Sequence, residues 1–170
     1  SPTGPAFEGG EISAGQRATA GAIERVRIDR ETLEPKFRVI GSELWSTEVG
    51  FADSTNELSI TGICGSGIIE VVAEMFLAGI ISEDGIVDGA LAERSSRVRS
   101  HGRTWSYVLH FAEDETQRDI VVTQNDVRQI QLAKAALYAG IKLLMDKMGV
   151  SAVDRIRLAG AFGSHISVEH

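Results

Sequence analysis

The run S-I-T-G-I-C-G-S-G-I-I-E-V-V at Ser59–Val72 constrains the fold of this chain more than any other stretch. A short apolar and threonine run, Ser59–Thr61, meets a tight glycine turn from Gly62 to Gly67, and a continuous apolar helix pattern begins at Ile68. A strand, a glycine elbow and a helix N-terminus in that order form a pocket for an anion. The first free N–H groups of the helix point outward, and its dipole adds roughly half a positive charge there. Glycine lets the backbone come close to a phosphate where a Cβ would block it. The competing reading is a strand-to-helix turn packed tightly for its own sake. A second glycine turn, Leu158–Ser164, follows a strand expected at Asp154–Leu158. Two such turns at strand ends imply two lips of a cleft and an α/β fold.

The remaining elements follow from periodicity. Ala22–Ile28 alternates apolar and charged residues and pairs, through the polar turn Asp29–Pro35, with a second strand at Phe37–Ile40. Trp45 and Phe51 anchor the irregular stretch Ser42–Asn56. Ile68, Val71, Val72, Met75, Phe76 and Ile80 recur at helical spacing, predicting a helix over Ile68–Ala78 that Gly79 ends. Thr104–Phe111 and Ile120–Val122 read as strands. Thr123-Gln124-Asn125-Asp126 is a capping box. The helix it opens carries Val127, Ile130, Ala133, Leu137, Ile141, Leu144, Met145 and Met148 on one stripe and stops at Gly149.

Composition narrows the function. A chain of 170 residues with 43% hydrophobic content can bury one compact core. With 24 acidic and 17 basic side chains its net charge is −7, which argues against nucleic acid and against an anionic membrane surface. No apolar run reaches membrane-spanning length. Cys64 is the only cysteine, which suits a reducing cytoplasm. The opening Ser1-Pro2-Thr3 without methionine, and a close shortly after a glycine turn, lead us to expect that residues 1–170 are a single domain of a longer protein.

Several side chains are candidates for chemistry, each with a bland alternative. Glu8 and Glu11 flank Gly9-Gly10 between Phe7 and Ile12, either as a loop that orders a metal-bound phosphate or water, or as a solvated turn. Arg94, Arg97 and Arg99 could receive a partner or line a solvated face. Arg128 or Lys134 could flank an adenine or a phosphate, or simply face solvent. His101 and His110 lack metal-ligand spacing and read as structural or exposed.

Four blocks together resemble one family. They are G-P-A-F-E-G-G-E-I at Gly4–Ile12, T-G-I-C-G-S-G-I-I-E at Thr61–Glu70, T-Q-N-D-V-R-Q-I-Q-L-A-K at Thr123–Lys134, and I-R-L-A-G-A-F-G-S-H-I at Ile156–Ile166. In the same order and over nearly the whole chain, they are similar to the ATP-dependent reductive activators of corrinoid proteins and their ferredoxin-like, metal-binding relatives. The resemblance implies one lobe of the acetate and sugar kinase, heat-shock chaperone and actin (ASKHA) fold, a mixed β-sheet flanked by helices. It implies that Gly160, Gly163 and Ser164 form the adenosine-side turn, and that Gly65, Ser66 and Gly67 form the elbow. That elbow also resembles the C-A-A-G-T-G turn of the activators of 2-hydroxyacyl-CoA dehydratases, whose cysteine helps bind an iron–sulfur cluster. Cys64 stands in the comparable place with no second cysteine, so it is assigned to packing.

For the parent protein, the resemblance implies ATP and Mg²⁺ as cofactors, with a 2Fe-2S domain, a linker and a first phosphate-binding turn that lie outside this chain. Its partner would be the corrinoid protein of a methyltransferase system, and the parent would return Co(II) to Co(I), with this lobe alone expected to be inactive. Positioning and phosphate electrostatics, not a covalent intermediate, would carry the work. Two rivals remain open. One is a small-molecule kinase of the same superfamily, for which no catalytic base is identifiable. The other is a docking module without nucleotide that binds the corrinoid protein or a second copy of itself as a homodimer.

Overall fold

The computed structural model describes Phe7, residues 9–112 and residues 116–160. Alternating residues create the first hairpin. β1 (Ile23–Ile28) pairs antiparallel with β2 (Pro35–Val39), Val26 opposite Phe37 and Ile28 opposite Pro35. Ile23, Val26 and Ile28 are buried, while Arg25 and Arg27 lie between them at the half-exposed positions. Asp29 shapes the connecting turn: its Oδ1 accepts from the N–H groups of Thr32 (2.7 Å) and Glu31 (3.0 Å) and from the Thr32 hydroxyl (2.9 Å). The Thr32 N–H first, then its hydroxyl, hold the Asp29 carboxyl below its ordinary 3.8. Leu33 closes the turn in the left-handed region at φ 61° and buries its side chain.

A second sheet has the order β3 (Val98–His101), β4 (Thr104–His110), β5 (Ile120–Thr123), antiparallel throughout. The central strand β4 is buried continuously from Ser106 to Leu109. From it the Tyr107 hydroxyl donates to the Leu33 carbonyl at 2.8 Å, tying the second sheet to the first turn. Among the described residues, parallel pairing enters only as bridges of Ile63 to Gly15 and to Ile23.

Helix α1 (Phe51–Ser54) is a single turn. Helix α2 (Gly65–Leu77) packs along β1 through Ile68, Val71 and Met75. The same face of α2 carries Glu70 and Glu74, each only 6% exposed. Strand β1 neutralises them: Arg25 reaches Glu70 at 3.2 Å, Arg27 also pairs with Glu70, and the Ile28 N–H donates to Glu74 at 2.9 Å. Without these arginines Glu70 would be a buried carboxylate with no opposite charge to answer it. The long α3 (Gln124–Met148) begins at the capping box and ends at Gly149, whose φ is 66°.

The architecture is α/β, as expected, with antiparallel sheets and flanking helices. Four local expectations are corrected. Helix α2 starts at Gly65, so the elbow glycines form its first turn. Ser59–Thr61 is not a strand, because only Ile63 finds bridging partners. The α3 stripe is buried at Val127 and packed at Ile130 and Ala133, but Leu137, Ile141, Leu144 and Met148 stay exposed, since the described body covers only the first turns. Asp154–Leu158 forms no strand: alternation alone does not suffice without an edge to pair with, and no described strand pairs with it.

The arginine cluster proves structural. Arg94 donates to the Glu31 carbonyl at 2.7 Å, Arg97 pairs with Glu34 at 2.8 Å and Arg99 with Asp119 at 2.9 Å. Arg97 and Arg99 also lie over the Phe111 ring.

Candidate functional site

The start of α2 is the candidate site. Its N-cap, Cys64, has extended geometry (φ −77°, ψ 169°), and its side chain caps no backbone N–H of the helix. The first helical donor with a backbone acceptor is Ile68, whose N–H reaches the Cys64 carbonyl at 3.0 Å. The N–H groups of Gly65, Ser66 and Gly67 therefore lack intrahelical partners. No acidic residue stands in the first turn to answer the helix dipole. Cys64 is buried, with Sγ 3.3 Å from the Ser66 hydroxyl, and it is packed as expected.

The elbow is held rigidly from two sides. The Cys64 N–H donates to Ile23 of β1 at 3.0 Å, and the Ile23 N–H donates to Gly62 at 2.9 Å. On the other side, Ile63 exchanges bonds with Ala14 (2.8 Å) and Gln16 (2.9 Å). The glycines follow from this crowding. A Cβ on Gly67 would sit 2.4 Å from the Ile23 carbonyl oxygen, and one on Gly62 would sit 2.6 Å from that of Ala14. Tight packing thus accounts for Gly62 and Gly67, while Gly65 and Ser66 are half-buried and no described backbone acceptor takes their N–H groups.

The acidic loop lies against this elbow. Gly9 and Gly15 fold onto each other so closely that a Cβ on Gly15 would meet the Gly9 nitrogen at 2.8 Å. Ile12 is buried, and Glu11 is exposed, with no hydrogen bond or ion pair among the described residues. Glu8 lies outside the described residues. Beyond Glu11, Ser13 docks on α3: its N–H and its hydroxyl both donate to Asp126 Oδ1, at 2.8 and 3.1 Å.

The elbow, the acidic loop and the start of α3 are therefore one connected unit. No hydrogen bond or ion pair of the described residues joins Lys134 or Gly160 to it. Lys134 is exposed on α3. Gly160 is exposed at φ 96°, with open space around it. Gly163 and Ser164 lie outside the described residues. Arg128 faces a groove of about 730 Å³ with Arg103, Trp105 and Gln124. Ser59 and Thr61, on the approach to the elbow, line a separate polar cavity of about 470 Å³ with Asn56 and His110. Among the described residues no group of three or more His, Cys, Asp or Glu is placed to hold a metal ion.

Local sequence missed one contributor. The Thr-x-x-Asp pattern announces that Asp126 caps α3, but nothing local announces Ser13, 113 positions away, as its second partner.

A family model described as the C-terminal domain of RACo, the ASKHA domain, matches residues 1–170. The corrinoid activation enzyme RamQ of Eubacterium limosum is 33% identical over 175 residues, covering 98% of this chain and 27% of that protein. A solved structure of the reductive activator for corrinoid, iron-sulfur protein superposes with a TM-score of 0.75 at 35% identity, over 94% of this chain and 23% of its own. The chain spans about a quarter of the length of these relatives. With its whole length matched, the chain belongs to the family of the C-terminal ASKHA domain of RACo.

Proposed function

We propose that this chain is the ATP-binding lobe of an ATP-dependent reductive activator. The parent would return the Co(II) form of a corrinoid protein to Co(I), using electrons from a 2Fe-2S domain elsewhere in the same protein. The names of the two relatives support the reaction class, and the ASKHA family supports a nucleotide. The observation that carries the reading is the start of α2, an uncapped helix N-terminus with no acid in its first turn. This is the local chemistry that a phosphate needs.

The backbone N–H groups of Gly65, Ser66 and Gly67 and the Ser66 hydroxyl would hold phosphate oxygens. Gly160, Gly163 and Ser164 would contact the adenosine, and Lys134 would flank it. Glu8 and Glu11 would orient Mg²⁺ or a water molecule, Glu11 being exposed and without an ion pair among the described residues. When bound, ATP supplies hydrolysis free energy to an electron transfer that is otherwise uphill. Strand β1 and the Ser13–Gln16 segment keep the elbow in place while the nucleotide changes. Cys64, the sole thiol, cannot supply the four ligands of a 2Fe-2S cluster, so that centre is assigned outside this chain.

The partner is the corrinoid protein of a methyltransferase system, with a second copy of the activator as a further contact. The compartment is the cytoplasm. No described helix is long and apolar enough to cross a membrane.

The test mixes the reduced full-length protein anaerobically with its Co(II) corrinoid protein. Co(I) absorbance should accumulate with MgATP and not with ADP. Equal accumulation without nucleotide would overturn the proposal.

A further inference from the structure

Asp126 is 0% exposed, and no cation pairs with it among the described residues. Its carboxylate is satisfied entirely by hydrogen bonds from two separate segments. Oδ2 accepts from the Thr123 N–H at 2.7 Å, which completes the α3 cap. Oδ1 accepts the N–H and the hydroxyl of Ser13 at 2.8 and 3.1 Å, and the Ser13 hydroxyl also lies 3.3 Å from that of Thr123. A helix cap needs only the first of these bonds. The other two attach the acidic loop to α3. The residues that follow Ser13 attach the same segment to the elbow, through Ala14 and Gln16 on Ile63. Residues 13–16 thus stand between the start of α3 and the start of α2, bonded to both.

We propose that Asp126 is a positioning residue for nucleotide hydrolysis, acting through Ser13 to fix the loop that carries Glu11 relative to the elbow. This rests on the reading that ATP binds at the elbow. Breaking the joint leaves the elbow bonded to Ile23, so nucleotide binding survives. The loop carrying Glu11 loses its fixed position, so turnover falls. The effect is a loss in kcat with little change in KM, the signature of an interaction needed in the transition state more than in the ground state.

The experiment compares Asp126→Ala with Thr123→Val in the full-length protein. Thr123→Val removes the capping hydroxyl of α3 and its long 3.3 Å contact with the Ser13 hydroxyl, and keeps both Ser13–Asp126 bonds. The joint predicts that Asp126→Ala lowers kcat for ATP hydrolysis at least about tenfold with KM within about threefold, and that Thr123→Val moves neither beyond about threefold. Ser13→Ala should give a smaller kcat loss that Ser13→Thr restores, which keeps the test open should Asp126→Ala fail to fold. Equal kcat losses in Asp126→Ala and Thr123→Val would overturn it, since Asp126 would then be a helix cap only. Hydrogen exchange supplies a readout without nucleotide: residues 9–16 should exchange faster in Asp126→Ala and not in Thr123→Val. If the wild-type protein binds no ATP, the nucleotide reading falls, and unchanged exchange in residues 9–16 would remove the joint as well.

Discussion

Helices α2 and α3 begin in opposite ways. At α3, Thr123 and Asp126 satisfy each other's backbone N–H groups, and Ser13 fills the remaining acceptor capacity of the carboxylate. At α2, a cysteine that caps no backbone N–H leads into Gly-Ser-Gly with no acid in the first turn. The difference cannot be put down to a badly folded end, because the α2 start is bonded on both sides, to Ile23 and to the Ser13–Gln16 segment. A rigid helix start without its own cap has an anionic partner as its natural complement, whereas the start of α3 is already complete.

This contrast can be broken at either end. Gly67→Val should have the largest effect, because its Cβ alone would lie 2.4 Å from the Ile23 carbonyl oxygen. Urea unfolding should register a loss of about 3 kcal/mol, typical of overpacking against backbone that cannot move. Asp126→Ala removes the α3 cap and strands buried donors, and should cost about 2 kcal/mol in the same measurement. A loss at Asp126 larger than at Gly67 would mean that the α2 seat is softer than its crowding implies.

Tyr107→Phe calibrates both, since it deletes one buried hydrogen bond connected to neither helix start, and should cost about 1 kcal/mol. It also carries a pH signature. Burial raises the Tyr107 phenol above its ordinary 10.0, with the Arg97 charge opposing. The fold therefore favours the neutral phenol. That stability is complete below the unfolded value and is lost as pH climbs above about 10. The alkaline decline in unfolding free energy should be shallower in Tyr107→Phe, and an unchanged slope would show that the phenol is not its source.

What the sequence made legible was what depends on neighbours along the chain. The Thr123–Asp126 cap, the Gly149 stop and the alternation of β1 needed only local letters. What stayed hidden depends on partners brought in from afar. Ser59–Thr61 and Asp154–Leu158 have strand composition, yet strand formation is decided by an available edge. Gly62 and Gly67 look like ligand glycines, but distant Ala14 and Ile23 explain their lack of a side chain. Glu70 and Glu74 sit on the apolar face of α2, and only the register of β1 supplies the arginines that make this tolerable. Of the candidate site, the glycine turn before α2 was legible and the Ser13–Asp126 joint was not.

The most direct measurement is calorimetric titration of MgATP into the full-length protein and into Ser66→Asp. An aspartate in the first turn of α2 gives the open helix start an acid of its own, and should raise stability slightly, by about 0.5 kcal/mol. It should also repel the phosphates and weaken ATP binding at least about tenfold. Stability maintained with affinity lost is the predicted result. Unchanged affinity in a stably folded Ser66→Asp would contradict the claim that the α2 start holds the nucleotide.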